Sequence, residues 1–185
     1  MRKIISVIGD SHELQKKSNK QLAFETGRLL IDNNYRVMTG GLGGIMKEVL
    51  AGAKSSTNYK EGDTIGILPS FDINSANEYV DIPIATGLDI GRNQIIANTS
   101  AVIIIGGGAG THVEAALAWG LYKLIIAYGM SGGCAELLSG KVLDHRTRYK
   151  DIVNDVIYNV SNPEEMIITL NSNISKYVHV HHGIN

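Results

Sequence analysis

Ala101-Val102-Ile103-Ile104-Ile105-Gly106-Gly107-Gly108-Ala109-Gly110-Thr111 decides how this chain is read. The first five residues are apolar on both sides and mostly β-branched, which predicts a buried strand over Ala101 to Ile105. A glycine turn follows, and apolar residues then resume at helical spacing from about Thr111 to Tyr122. Glycines let a backbone turn tightly and approach a ligand without a Cβ in the way. The free N–H groups and dipole of the helix that follows attract an anion. The same layout occurs upstream, where a strand at Tyr35 to Met38 leads into Gly40-Gly41-Leu42-Gly43-Gly44 and a helix carrying Ile45, Met46, Val49, Leu50 and Ala53. Two such turns are expected to hold one phosphorylated ligand between them.

Working outward, Ile4 to Ile8, Thr64 to Leu68 and Leu124 to Ala127 read as further strands, the second stopped by Pro69. Val80 to Ala85, interrupted by Pro83, reads as a short edge strand. Helices are expected over Leu14 to Ile31, Gly91 to Ala97 and Cys134 to Leu138. Ser161-Asn162-Pro163-Glu164 reads as a capping box opening a last helix to Leu170. Ser55 to Asp63 reads as a polar surface segment and Phe71 to Glu78 as a mobile loop. Apolar strands alternating with helices imply a parallel sheet covered on both faces. The expected fold is therefore a doubly wound α/β, Rossmann-like three-layer sandwich, with Ala101 to Ile105 as its most central strand. One phosphate- or nucleotide-binding domain is expected over residues 1–172, followed by a C-terminal tail over 173–185. Ligands in such sheets collect outside the carboxyl ends of the strands, where both glycine turns fall.

Composition narrows the partners. The 185 residues carry 17 basic and 18 acidic side chains, a formal net charge of -1, scattered without a basic stripe. A nucleic-acid or anionic-membrane surface is not expected, and a small ligand is. The single cysteine, Cys134, excludes an intrachain disulfide, and no charged and apolar leader pattern opens the chain at Met1, so a cytoplasmic protein is expected. No apolar run is long enough to span a bilayer.

Two common nucleotide motifs do not match. The first strand ends in Gly9-Asp10-Ser11-His12, where the dinucleotide fingerprint needs G-x-G-x-x-G. Gly140-Lys141 is followed by Val142, and Ala135 stands where a Walker loop needs its first glycine. By contrast, Ile105 to Glu114 resembles the P-G-G-x-G-T-x-x-E motif of the lonely-guy (LOG) phosphoribohydrolases, long mislabelled as lysine decarboxylases. Thr39 to Met46 is similar to that family's first glycine motif, Gly9-Asp10-Ser11 occupies the place of its opening turn, and Gly91-Arg92-Asn93 resembles its R-K signature. The likeness runs from about residue 3 to 130. The branch containing molybdenum-cofactor carrier proteins gives the closest pattern. Gly106 replaces the family proline and Asn93 the signature lysine.

The resemblance implies a phosphate or nucleotide site built from Ser11, Gly40, Gly41, Gly43, Gly44, Gly107, Gly108, Gly110 and Thr111, with Glu114 and Arg92 as candidate catalytic residues. Thr111 would offer hydroxyl and amide to the phosphate. Glu114, one helical turn on, would stabilise an oxocarbenium-like ribose and help deprotonate water. Arg92 would pair with Glu114 or the phosphate. Simpler readings stand beside these: a first-turn glutamate favoured by the helix dipole, a surface ion pair, and a turn serine satisfying its own backbone. Asn93 and Gln94 are candidates to read a base or pterin edge. His112 reads as exposed, Glu48 as solvated, and His179, His181 and His182 as a solvated tail rather than a metal site. Cys134 reads as a small buried residue, although a nearby helix start would lower its pKa. Ala115, Ala116, Leu117, Ala118, Trp119 and Leu121 make their helix apolar nearly all round, so a homo-oligomer, dimer or tetramer, is expected.

Two functions rank ahead of the rest. The first is hydrolysis of a nucleoside 5'-monophosphate to a free base. The second is a non-catalytic carrier of molybdenum cofactor or a nucleotide. No cofactor or metal is required by either, and a bound nucleotide, phosphate or molybdenum cofactor is allowed by both. A nucleotide-sensing module like DNA-processing protein A, which shares this sheet, comes third.

Overall fold

The computed structural model describes residues 1–11 and 17–180. A seven-stranded sheet runs through it, made of β1 (Ile4–Gly9), β2 (Arg36–Thr39), β3 (Thr64–Leu68), β4 (Ile82–Ala85), β5 (Ala101–Ile105), β6 (Leu124–Ala127) and β7 (Tyr158–Asn159). The spatial order is β4-β3-β2-β1-β5-β6-β7, and every neighbouring pair is parallel. The chain starts in the middle, winds outward through β4, then returns across β1 to wind the other way. The reversal falls between β1 and β5, which is where a doubly wound sheet opens a crevice.

Side-chain alternation sorts the strands onto two faces. Ile5 and Val7 of β1, Ala101, Ile103 and Ile105 of β5, and Leu124 and Ile126 of β6 pack under α1 (Lys17–Asp32), α2 (Ile45–Ser55) and α6 (Pro163–Asn173). Ile8, Val102, Ile104, Ile125 and Ala127 face α3 (Asn93–Ala97), α4 (Ala109–Gly120) and α5 (Gly133–Leu138). Both faces are covered, which is why these strands are continuous apolar runs. The doubly wound three-layer sandwich follows.

Several details depart from the sequence reading. The central strand is β1, flanked equally on both sides, with β5 its neighbour. β7 carries only two residues and has too little sequence signal to be read. Asp63, in the segment read as surface, is fully buried because Arg2, Arg36 and the Lys60 amide converge on its carboxylate. The loop from Phe71 to Glu78 is pinned instead of free: Asp72 caps a 3-10 turn at Ile73–Ser75, and the Asn77 amide donates to the carbonyls of Gly41 and Leu42. The cap of α6 is Asn162, whose side chain accepts from the Glu165 amide while Glu165 reaches back to the Ser161 amide, one residue on from the expected box. After α6, Ile174 and Tyr177 are buried, and Tyr177 donates to Asp155. The first residues expected in this helix, Leu14 to Lys16, lie outside the described residues, as do His181 and His182.

α1 and α2 meet through glycines. A Cβ on Gly52 would lie 1.8 Å from the Phe24 carbonyl oxygen, and one on Gly27 1.9 Å from that of Val49. Backbone cannot step aside as a side-chain tip can. Gly52→Ala is therefore expected to lower unfolding stability by about 2–3 kcal/mol through overpacking. Gly120→Ala, which meets nothing within 4 Å, is the control and should be neutral or mildly stabilising by helix propensity. Urea midpoints of the two variants check both expectations.

Candidate functional site

The turn after β5 is shaped by its backbone. Gly106 and Gly107 have φ of +61° and +95°, and their carbonyls accept from the amides of Ala135 (3.0 Å) and Cys134 (2.7 Å) at the start of α5. The Gly106 amide goes to Ser131 Oγ at 2.7 Å and the Gly107 amide to Asp10 Oδ2 at 3.1 Å. Thr111 folds back beneath the turn, its Oγ1 2.5 Å from where a Gly107 Cβ would stand. α4 then begins at Ala109, two residues earlier than expected, with Gly108 at its N-cap and no side-chain cap. Its first-turn amides face outward from the strand ends, a polarity that suits an anion.

A proline at position 106 is incompatible with this turn. Its ring fixes φ near −65°, and a Cβ there would lie 2.6 Å from Asp10 Oδ2. The glycine that replaces the family proline is thus tied to Asp10.

The turn after β2 is built differently. Its Gly41 amide donates to Thr39 Oγ1, its carbonyls at Gly41 and Leu42 accept from Asn77, and the first amide of α2, Ile45, donates to the Asp10 carbonyl at 2.9 Å. Gly41 lies against Gly66, and Gly44 is the N-cap of α2 with φ +62°.

Both turns border a cavity of about 520 Å³ at the carboxyl ends of β1, β2 and β5. It is lined by Ser11, Gly40, Arg92, Gly108, Gly110, Thr111 and Glu114 among the candidate residues. Gly41, Gly43, Gly44 and Gly107 do not line it. Asp10, Asp89 and Asn93 also line it. Asp10 was visible in sequence only as a turn residue, although an acidic side chain directly after the first strand is a signal that can be looked for. Gln94, by contrast, borders a separate cleft with Lys3 and Lys123 at the opposite ends of the strands.

Arg92 is committed in a way no sequence pattern announces. Its Nη1 donates to the carbonyl of Gly40 at 3.1 Å and to that of Ile67, tying the carboxyl ends of β2 and β3. Burial lowers its pKa, opposed by the nearby Glu114 and Asp89 carboxylates. Burial pushes Glu114 up to about 7, and the Arg92 charge acts in the other direction. At neutral pH Glu114 is thus part proton donor, part acceptor.

Other candidates resolve simply. Cys134 is fully buried and its thiol is pushed up to about 12 by burial, then by Glu114 and Asp10, so its helix-start position does not activate it. Glu48 lies 3.8 Å from Lys20. His112 Nδ1 sits 3.0 Å from the Gly108 carbonyl. His179 packs against the rings of Tyr122 and Tyr149. Among the described residues no group of three or more His, Cys, Asp or Glu side chains is placed to hold a metal, and no helix is long and apolar enough to cross a membrane.

An all-parallel sheet with a glycine turn and uncapped helix at its switch point is the Rossmann-like architecture of LOG-type proteins. Comparison with known proteins agrees: the model of the SLOG cluster4 family matches residues 2–170, and the chain belongs to that family. It is similar to the X-ray structure of TM1055, with TM-score 0.80 and 28% identity over 92% of this chain and 99% of that one. It is also similar to the molybdenum cofactor binding protein from Rippkaea orientalis, with TM-score 0.74 and 30% identity over 94% and 98%. An uncharacterized protein of Archaeoglobus fulgidus is 39% identical over 99 residues, 53% of this chain and 62% of that protein, so the match spans less than two thirds of that relative.

The raised Glu114 carboxyl has a stability signature. The folded state holds its proton up to about 7, while the unfolded chain releases it near the ordinary carboxylate value, so stability falls as pH rises between the two. Glu114→Gln is expected to be ~1–2 kcal/mol more stable than wild type above pH 7 and equal to it below pH 4. Denaturation at a series of pH values measures this.

Proposed function

We propose that this protein binds and carries a small molecule bearing a phosphate group, molybdenum cofactor or a nucleotide, without transforming it. The observation that carries this reading is the uncapped first turn of α4 opening into the switch-point cavity. A volume of about 520 Å³ falls within the range of about 300–1,000 Å³ usual for small-molecule sites. The residues suit a phosphorylated pterin or purine. Amides from Gly108 to Thr111 and the Ser11 hydroxyl offer donors at the anion end, while Val7, Leu42, Met46 and Ile90 give apolar walls for a fused ring. Asn93, 5% exposed, offers both donor and acceptor to a ring edge. The Rippkaea orientalis relative, a molybdenum cofactor binding protein, supports that cofactor as cargo. A homo-oligomer belongs to the same reading, because Val113, 40% exposed, and Ala116 leave an apolar strip on the outer side of α4.

One observation favours a second reading, phosphoribohydrolase activity. Glu114 lines the cavity with its proton held up to about 7, a range suited to acid and base work near neutrality. In that reading its carboxylate stabilises positive charge developing on the ribose and accepts a proton from water.

Gly108→Asp tests the carrier reading. A side chain at Gly108 meets nothing within 4 Å, so the variant should fold, and an aspartate at an N-cap satisfies the helix amides that the ligand would otherwise use. Native mass spectrometry of protein mixed with molybdenum cofactor, AMP or GMP should show one ligand retained per wild-type chain. The variant should retain at least about tenfold less. Free base accumulating in the nucleotide incubations, and lost in Glu114→Gln, would replace the carrier with the hydrolase.

A further inference from the structure

We propose that Asp10 sets the charge of the ligand the cavity accepts: it braces the anion turn and, as a fixed negative charge beside it, favours a single phosphate over a di- or triphosphate. This rests on the reading of the cavity as a phosphate site. Asp10 follows β1 at the switch point and is bonded to both glycine turns. Its backbone carbonyl accepts from the Ile45 amide at 2.9 Å, and its Oδ2 accepts from the Gly107 amide at 3.1 Å. The first bond fixes its backbone to the start of α2. The second takes one turn amide out of reach of any ligand and fixes the carboxylate against the turn. Gly106 closes the arrangement, since any Cβ there would lie 2.6 Å from the same oxygen.

The charges facing the cavity make this placement selective. Asp10 stands at the end of β1, Glu114 on α4, and Asp89 and Arg92 on the 3-10 turn Asp89–Arg92. Among the described residues the lining thus holds three carboxyl side chains and one guanidinium, which already donates to Gly40 and Ile67. A turn of bare amides attracts an anion more strongly the greater its charge. With a carboxylate held beside it, each further negative charge on the ligand is opposed by repulsion at short range.

Two substitutions separate the brace from the charge. Asp10→Asn keeps an oxygen to accept the Gly107 amide and removes the charge, whereas Asp10→Ala removes both. The experiment titrates the full chain with inorganic phosphate and with pyrophosphate, following the amide resonances of Gly108, Gly110 and Thr111. Asp10→Asn is expected to tighten phosphate by about threefold and pyrophosphate by about tenfold, shifting the ratio toward pyrophosphate. Asp10→Ala is expected to weaken both. If Asp10→Asn leaves the ratio unchanged, or weakens both anions as Asp10→Ala does, the proposal is overturned, as it is if neither anion moves these resonances in wild type. Should Asp10→Ala fail to fold, the Asp10→Asn ratio decides alone. Failure of the carrier reading looks different: no cofactor or nucleotide is retained in native mass spectra, while the anion ratio still responds to Asp10→Asn.

Discussion

Everything at the site depends on how the Gly106–Gly107 turn spends its hydrogen bonds. Both residues sit at positive φ, a conformation nearly free for glycine and strained for other residues. That conformation aims their carbonyls at the first amides of α5 and their own amides at Ser131 and Asp10. Nothing of the turn itself is left unpaired. One step further along, the start of α4 has no side-chain cap. The short helix α5 works here as a brace for the turn, which explains why Cys134 is conspicuous in sequence yet inert in the structure: its amide is used and its thiol is buried.

The same accounting distinguishes the two glycine turns. Buried backbone donors and acceptors need partners: in the turn after β2 the Gly41 amide goes to Thr39, the Gly41 and Leu42 carbonyls accept from Asn77, and Asp10 takes the first amide of α2. That turn lines the cavity with Gly40 and Leu42. Arg92 completes this wall by joining the carbonyls at the ends of β2 and β3. A permanently charged, planar donor suits the position because two carbonyl oxygens converge there.

Charge and burial then give the cavity its chemistry. Glu114 is held close enough to Arg92 for each to feel the other, yet burial dominates both, lowering the proton affinity of the guanidinium and raising that of the carboxyl. The result is a crevice in which the α4 N-terminus stands beside a buried carboxyl and a buried guanidinium.

The layering was legible from the chain alone. Runs such as Ala101 to Ile105 and Leu124 to Ala127, apolar on both sides and separated by helical patterns, admit little other than a parallel sheet covered twice, and glycines after them mark the ligand end. Local signals failed where partners are distant in sequence. Asp63 is buried because Arg2 and Arg36 meet it, the loop after Leu68 is pinned because Asn77 reaches Gly41, and two-residue β7 exists because β6 offers it an edge. Sequence thus determined the fold class and the presence of two glycine turns, since periodicity and φ preference are properties of neighbouring residues. Only the tertiary structure decided that Asp10 joins the two turns and that Asp10 and Arg92 frame the cavity, because hydrogen-bond partners are assigned by proximity in space.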